Sequence, residues 1–178
     1  ADRLSIVSDA ATGNQTAIEQ NGAGTLSIDS LRISGGFYCV YSRYSGNIVL
    51  NATTITGCGD LNDRSEYPGA GVFVRGGLVV RNSTITNNSG TGVTAGGTGD
   101  VSIEGTTISG NVASQCAGFH VKYRSGTARI SNSTISGNHS TFDGGAGCAN
   151  VPLTISNSTI AFNSTRLGVV GGLAVYGS

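Results

Sequence analysis

The stretch Asn132-Ser-Thr-Ile-Ser-Gly-Asn138 decides how the rest of the chain is read. Related phrases start at Asn82 (NSTITNN), Gly105 (GTTISGN), Asn157 (NSTIAFN) and, in weaker form, Asn51 (NATTITGCG). The Ile inside the phrase recurs as Ile33, Ile55, Ile85, Ile108, Ile135 and Ile160, at spacings of 22, 30, 23, 27 and 25. Upstream of each lies an alternating apolar pair: Leu26/Ile28, Ile48/Leu50, Leu78/Val80, Val101/Ile103, Ala128/Ile130 and Leu153/Ile155. The second member of the pair always falls five residues before the Ile. A third apolar stretch follows Gly71, Gly92, Gly118, Gly147 and Gly172.

Each unit therefore holds three short strands. Alternation with period two puts one face of each strand inside. Repeats of 22 to 30 residues with three strands read as coils of a solenoid. The spacing predicts one all-β domain over residues 1–178, a right-handed single-stranded parallel β-helix of about seven three-strand coils. The six Ile residues should form one internal stack.

Asn82, Asn132 and Asn157 occupy one column at the corner of invariant length, and Gly105 fills the same slot. Asn and Gly tolerate the left-handed conformation that a tight corner needs. Stacked Asn side chains can also bond along the column. Ser30 and Ala52 depart from this pattern, which predicts less regular early coils. A second Asn column, Asn88, Asn111, Asn138 and Asn163, follows the third strand. Eight Asn-x-Ser/Thr sequons occur, at Asn14, Asn51, Asn82, Asn87, Asn132, Asn138, Asn157 and Asn163. Most fall in these columns and read as structural ladders, not as glycan sites.

Composition narrows the function. Lys plus Arg equals Asp plus Glu at 10 each, and charged residues make up 11% of 178. A nucleic-acid binder needs a basic face to displace counterions, so that class is excluded. No apolar run approaches the roughly 20 residues that span a bilayer. Helix formers are scarce and Val, Ile and Thr dominate, which favours strands. The absence of Met, even at position 1, predicts a processed or excised chain.

Recurrent NSTISGN phrases with intervening Gly-led apolar strands resemble right-handed parallel β-helix repeat proteins of bacterial surfaces, among them autotransporter-like passengers. The corner also resembles that of pectate-lyase-type coils. The resemblance spans about Leu26 to Val175. It implies an extracellular or cell-surface location and a structural or adhesive role. Its alternative is a module that binds or cleaves polysaccharide in the manner of a lyase.

For that alternative the first-strand face offers Phe73, Arg75, Thr94, His120 and Lys122, with Tyr38 or Tyr41 nearby. Aromatic and cationic side chains suit glycan stacking and acidic sugars. The face carries no carboxylate pair of its own, so no catalytic residue is assigned. Asp60, Asn62, Asp63 and Glu66 cluster oxygen ligands in one insertion, and Ca²⁺ is the one cofactor they suggest. Outward residues beside five of the six anchor Ile (Thr54 and Thr56, Thr84 and Thr86, Thr107 and Ser109, Thr134 and Ser136, then Thr159 and Ala161) resemble the ladders of ice-binding solenoids, a minor alternative.

Four cysteines allow three connectivities. Cys39 and Cys58 lie 19 apart, and Cys116 and Cys148 lie 32 apart, each close to one coil. Near Cys39 both Phe37 and Val40 fit the inward position. Given the surface-protein resemblance, the expected bonds are Cys39–Cys58 and Cys116–Cys148. At the ends, RLSIVSD reads as a second strand, with Leu4 and Ile6 apolar, and GLAVYGS as a first strand, with Leu173 and Val175 apolar. From Gly172 on to Leu4 of a following copy is ten steps, as from Gly118 to Ala128. Either the chain stacks end to end on itself, or a longer chain continues the coil.

Overall fold

The computed structural model describes residues 5–7, 15–60, 69–122 and 125–176. Every strand pairing among them is parallel, and successive neighbours come from successive repeats. The chain is a right-handed parallel β-helix. Among the described residues two walls carry seven strands each and the third carries six, about six complete turns against the expected seven or so.

The repeat phrase builds the third-strand wall. Ser5–Val7, expected as a second strand, belongs to this wall instead: it pairs with Arg32–Ser34. The first-to-second spacing of ten residues therefore does not carry over to a following copy. Ile6, Ile33, Ile55, Ile85, Ile108, Ile135 and Ile160 are in register as one stack. Ile33, Ile55, Ile85, Ile108 and Ile135 have no exposed surface, whereas Ile160 is 37% exposed. The second-strand wall stacks Leu26, Ile48, Leu78, Val101, Ala128 and Leu153 in one column. Two residues further along each strand, Ile28, Leu50, Val80, Ile103, Ile130 and Ile155 form another. Because the side-chain period is two, a slip of one residue would turn every one of these out of the core.

The first-strand wall is built differently. Ile18, Val40, Val72, Val93 and Phe119 stack inward, and Gly147 and Leu173 continue the column. A Cβ on Gly147 would lie 2.4 Å from the Phe119 ring. Gly147 is therefore the small partner that lets the large Phe119 fill the core between rungs. The residue before the Val40 column also points inward: a Cβ on Gly71 or Gly92 would meet Ile55 or Ile108 at 3.2 and 3.1 Å. Cys39 sits one residue ahead of Val40, and both are fully buried. Phe37 is 9% exposed. Two consecutive inward residues break strict alternation, which is why period two left the Cys39 region ambiguous.

One element escaped the sequence reading. Val112–Ala113, His139–Ser140 and Ser164–Thr165 form a short fourth parallel sheet between the third and first walls. Two-residue strands are too short to show a period.

Candidate functional site

The corner residues explain the repeated phrase letter by letter. Asn82, Asn132 and Asn157 have φ of 49°, 50° and 47°, and Gly105 has 56°. Ser30 and Ala52 adopt the same left-handed geometry, at 56° and 47°. The early corners are thus as regular as the later ones, against the expectation; the neighbouring rungs impose the turn on residues that do not favour it.

The next letter, Ser or Thr, turns inward. Ser83 Oγ accepts from Thr53 N at 3.1 Å, and Ser133 Oγ from Thr106 N at 3.1 Å. Ser158 Oγ accepts from Ser133 N at 3.1 Å, and Thr106 Oγ1 takes the longer bond from Ser83 N at 3.4 Å. Each hydroxyl then donates to the carbonyl two residues back, as Ser83 does to Arg81 O at 2.6 Å. The reading of the sequence missed this hydroxyl ladder. Its signal was an unvaried Ser or Thr at one site in every phrase.

The amide ladder runs along the second Asn column. Asn88 Nδ2 donates to Asn111 Oδ1 at 2.8 Å, Asn111 to Asn138 at 2.9 Å, and Asn138 to Asn163 at 2.9 Å. The same oxygens accept the backbone N–H of the rung above, at 3.0 to 3.1 Å. Nδ2 of Asn111, Asn138 and Asn163 also donates to the carbonyls of Ile85, Ile108 and Ile135. Asn88, Asn111 and Asn138 are buried. Cys58 occupies the equivalent slot one rung earlier, and its N–H donates to Asn88 Oδ1 at 3.0 Å. The ladder expected along Asn82, Asn132 and Asn157 therefore lies in the other column. Those three side chains are exposed, and Asn82 Nδ2 reaches only Asn51 Oδ1, at 3.5 Å.

Both disulfides join adjacent rungs. Cys39 is bonded to Cys58 with Cα atoms 5.7 Å apart, and Cys116 to Cys148 at 5.3 Å. The second bond lies on the outer side of the first-strand wall, packed against Ala174 and Val170.

That wall brings together part of the expected glycan face. Tyr41, Phe73, Thr94, His120 and Cys148 share one column in register. Tyr38 and Tyr41 stack with ring centroids 4.8 Å apart, and both tilt against Phe73 at 5.5 and 5.3 Å. Arg75 Cζ lies 5.8 Å from the Phe73 ring, a cation–π distance. Tyr38 and Tyr41 are half-buried and Arg75 is exposed.

The remaining members do not join this patch. His120 is two rungs beyond Phe73 in the column. Thr94 and Lys122 are buried at 6% exposure each, and Phe73 at 1%. The face is thus not an open platform, and solvent reaches it at Tyr38, Tyr41 and Arg75. Burial, reinforced by the nearby Lys122 ammonium, pulls the His120 imidazole down to about 4, so it is neutral at pH 7.

Of the calcium candidates, Asp60 is exposed, while Asn62, Asp63 and Glu66 lie outside the described residues. Among the described residues no group of three His, Cys, Asp or Glu converges. At the two ends, Ile6 and Leu173 are half-buried, Val175 is 52% exposed, and Leu4 lies outside the described residues. No helix among the described residues is long and apolar enough to cross a membrane.

A family model described as the right handed beta helix region matches residues 12–178. The chain belongs to that right-handed β-helix family. No curated protein and no solved structure matches it.

Proposed function

We propose that the protein is an extracellular structural element, a stiff β-solenoid that serves as a stalk or adhesive scaffold. The observation that supports this reading is the bonding from rung to rung. Hydroxyl and amide ladders follow the body on two corners, and two disulfides clamp further pairs of rungs. Disulfides persist in oxidising compartments, which supports a location outside the cytosol. A finer proposal is head-to-tail stacking: among the described residues Leu173–Val175 pairs only with Gly147–Ala149 and Ser5–Val7 only with Arg32–Ser34, so each offers an edge to which a strand of another copy can add.

A second reading is favoured by one feature: half-buried Tyr38 and Tyr41, backed by buried Phe73 and flanked by exposed Arg75, suit the apolar face of a sugar ring. Electron microscopy of the native material tests the first reading. Thin unbranched rods or fibres are expected, with a protomer repeat near 34 Å if about seven rungs stack at about 4.8 Å each. Turnover of an acidic or neutral polysaccharide, weakened by Arg75→Ala, would overturn it.

A further inference from the structure

The structure sorts the eight Asn-x-Ser/Thr sequons into chemically different groups. Asn138 is fully buried, and its Nδ2 is committed to Ile108 O at 3.0 Å and Asn163 Oδ1 at 2.9 Å. The Nδ2 of Asn163 donates to Ile135 O at 2.9 Å. That of Asn51 donates to Asp29 Oδ2 at 2.7 Å, and the hydroxyl residue of its sequon, Thr53, is buried. Asn14 lies outside the described residues.

Asn82, Asn87, Asn132 and Asn157 differ. All four are exposed and left-handed, which holds each side chain on the apex of a corner. Two positions on, Thr84, Ser89 and Thr134 are half-buried and Thr159 is exposed. Thr84, Thr134 and Thr159 begin the third strands, one residue before the anchor Ile, and so face outward. Asn82 Nδ2 makes only a long bond, 3.5 Å, to Asn51 Oδ1. Gly105 follows Asn82 on the next rung, and a Cβ there would lie 2.8 Å from Asn82 Oδ1. The missing side chain leaves room beside the amide. Asn132 and Asn157 are on directly adjacent rungs, about 4.8 Å apart, too near for two saccharides side by side.

We propose that the exposed corner asparagines, Asn82 foremost, are attachment sites for N-linked sugar on the folded protein. The co-substrate is an activated sugar, a nucleotide or lipid diphosphate glycoside. Asn82 Nδ2 forms a bond to the anomeric carbon and loses one proton to a base of the transferase. The bond from that carbon to the diphosphate oxygen breaks, and the diphosphate leaves with the electron pair. Sugars on Asn82, Asn132 and Asn157 stand off the edge between the second and third walls, and sugar on Asn87 stands off the corner after the third strand. None of the four amides belongs to the ladder of Asn88, Asn111, Asn138 and Asn163.

The inference rests on the extracellular reading, yet the two fail separately. The acceptor assay reports geometry alone; the compartment is reported by whether the four cysteines are oxidised in native material. The disulfide-intact protein is incubated with a purified transferase of Asn-x-Ser/Thr specificity and its nucleotide-sugar donor, then mapped by peptide mass spectrometry. Transfer to Asn82 should be at least about tenfold faster than to Asn138, which is reached only through local opening. Single molecules should carry sugar at Asn132 or Asn157, never at both. Thr84→Val should remove transfer at Asn82 alone, and Thr84→Ser should keep it. The proposal is overturned if the folded protein takes no sugar at the four exposed sites while the reduced, unfolded chain does. It is overturned equally if Asn138 and Asn51 react as fast as Asn82 in the folded state.

Discussion

At the scale of single residues, His120 shows how cover changes chemistry. Its position on the strand Phe119–Val121 points it out of the barrel, yet its column neighbours Thr94 and Cys148 are buried and so is Lys122. A neutral imidazole is the form that the fold accepts, and its value of about 4 lies below the ordinary 6.5. The unfolded chain thus binds a proton between these values that the folded chain refuses. By linkage, stability contributed by His120 is complete above about pH 6.5 and is lost as pH falls toward 4. The ceiling of this effect is about 3 kcal/mol. Urea unfolding of His120→Gln from pH 7 to pH 4 should show a shallower loss of stability than the parent. Equal slopes would mean that the imidazole is not buried neutral.

At the scale of the element, the corner ladders set the cost of substitution. Asn111→Ala removes bonds to Ile85 O and Asn138 Oδ1, and strips Asn88 of the acceptor that serves both its backbone N–H and its side chain. Buried donors left without partners cost about 1–3 kcal/mol each, so a loss on the order of 3–5 kcal/mol is expected. Asn82→Gly, by contrast, keeps the left-handed corner and disturbs no ladder bond, and should move the denaturation midpoint little. Comparable losses in the two variants would contradict the assignment of the ladder to the second column. Asn82 opens one copy of the phrase and Asn111 closes the next. Their spacing from the anchor Ile placed both at corners, but only the packed coil shows which one turns inward.

At the scale of the whole molecule, the two disulfides tie rungs that hydrogen bonding already holds. They enclose segments with sequence separations of 19 and 32. Loop-closure entropy of the unfolded chain assigns each about 3–4 kcal/mol. Cys116→Ser with Cys148→Ser should lower thermal stability while keeping the far-ultraviolet spectrum of parallel sheet, because the ladders and the Ile stack stay in place. Loss of the β signal at room temperature would show that the clamp is needed for the coil to form at all.

The repeat by itself determined the solenoid, the Ile stack and the left-handed corners. These follow from local rules, since a short-period apolar pattern repeated at near-constant length has few ways to bury one face. Tertiary structure alone decided the rest. Whether His120 and Lys122 meet solvent, which Asn column bonds, that Cys39 and Val40 both face inward, and that Ser83 and its equivalents form a ladder all depend on what the next rung and the third-to-first turns place above each side chain. Those turns vary in length and carry no period, so the cover they provide exists only once the coils are stacked.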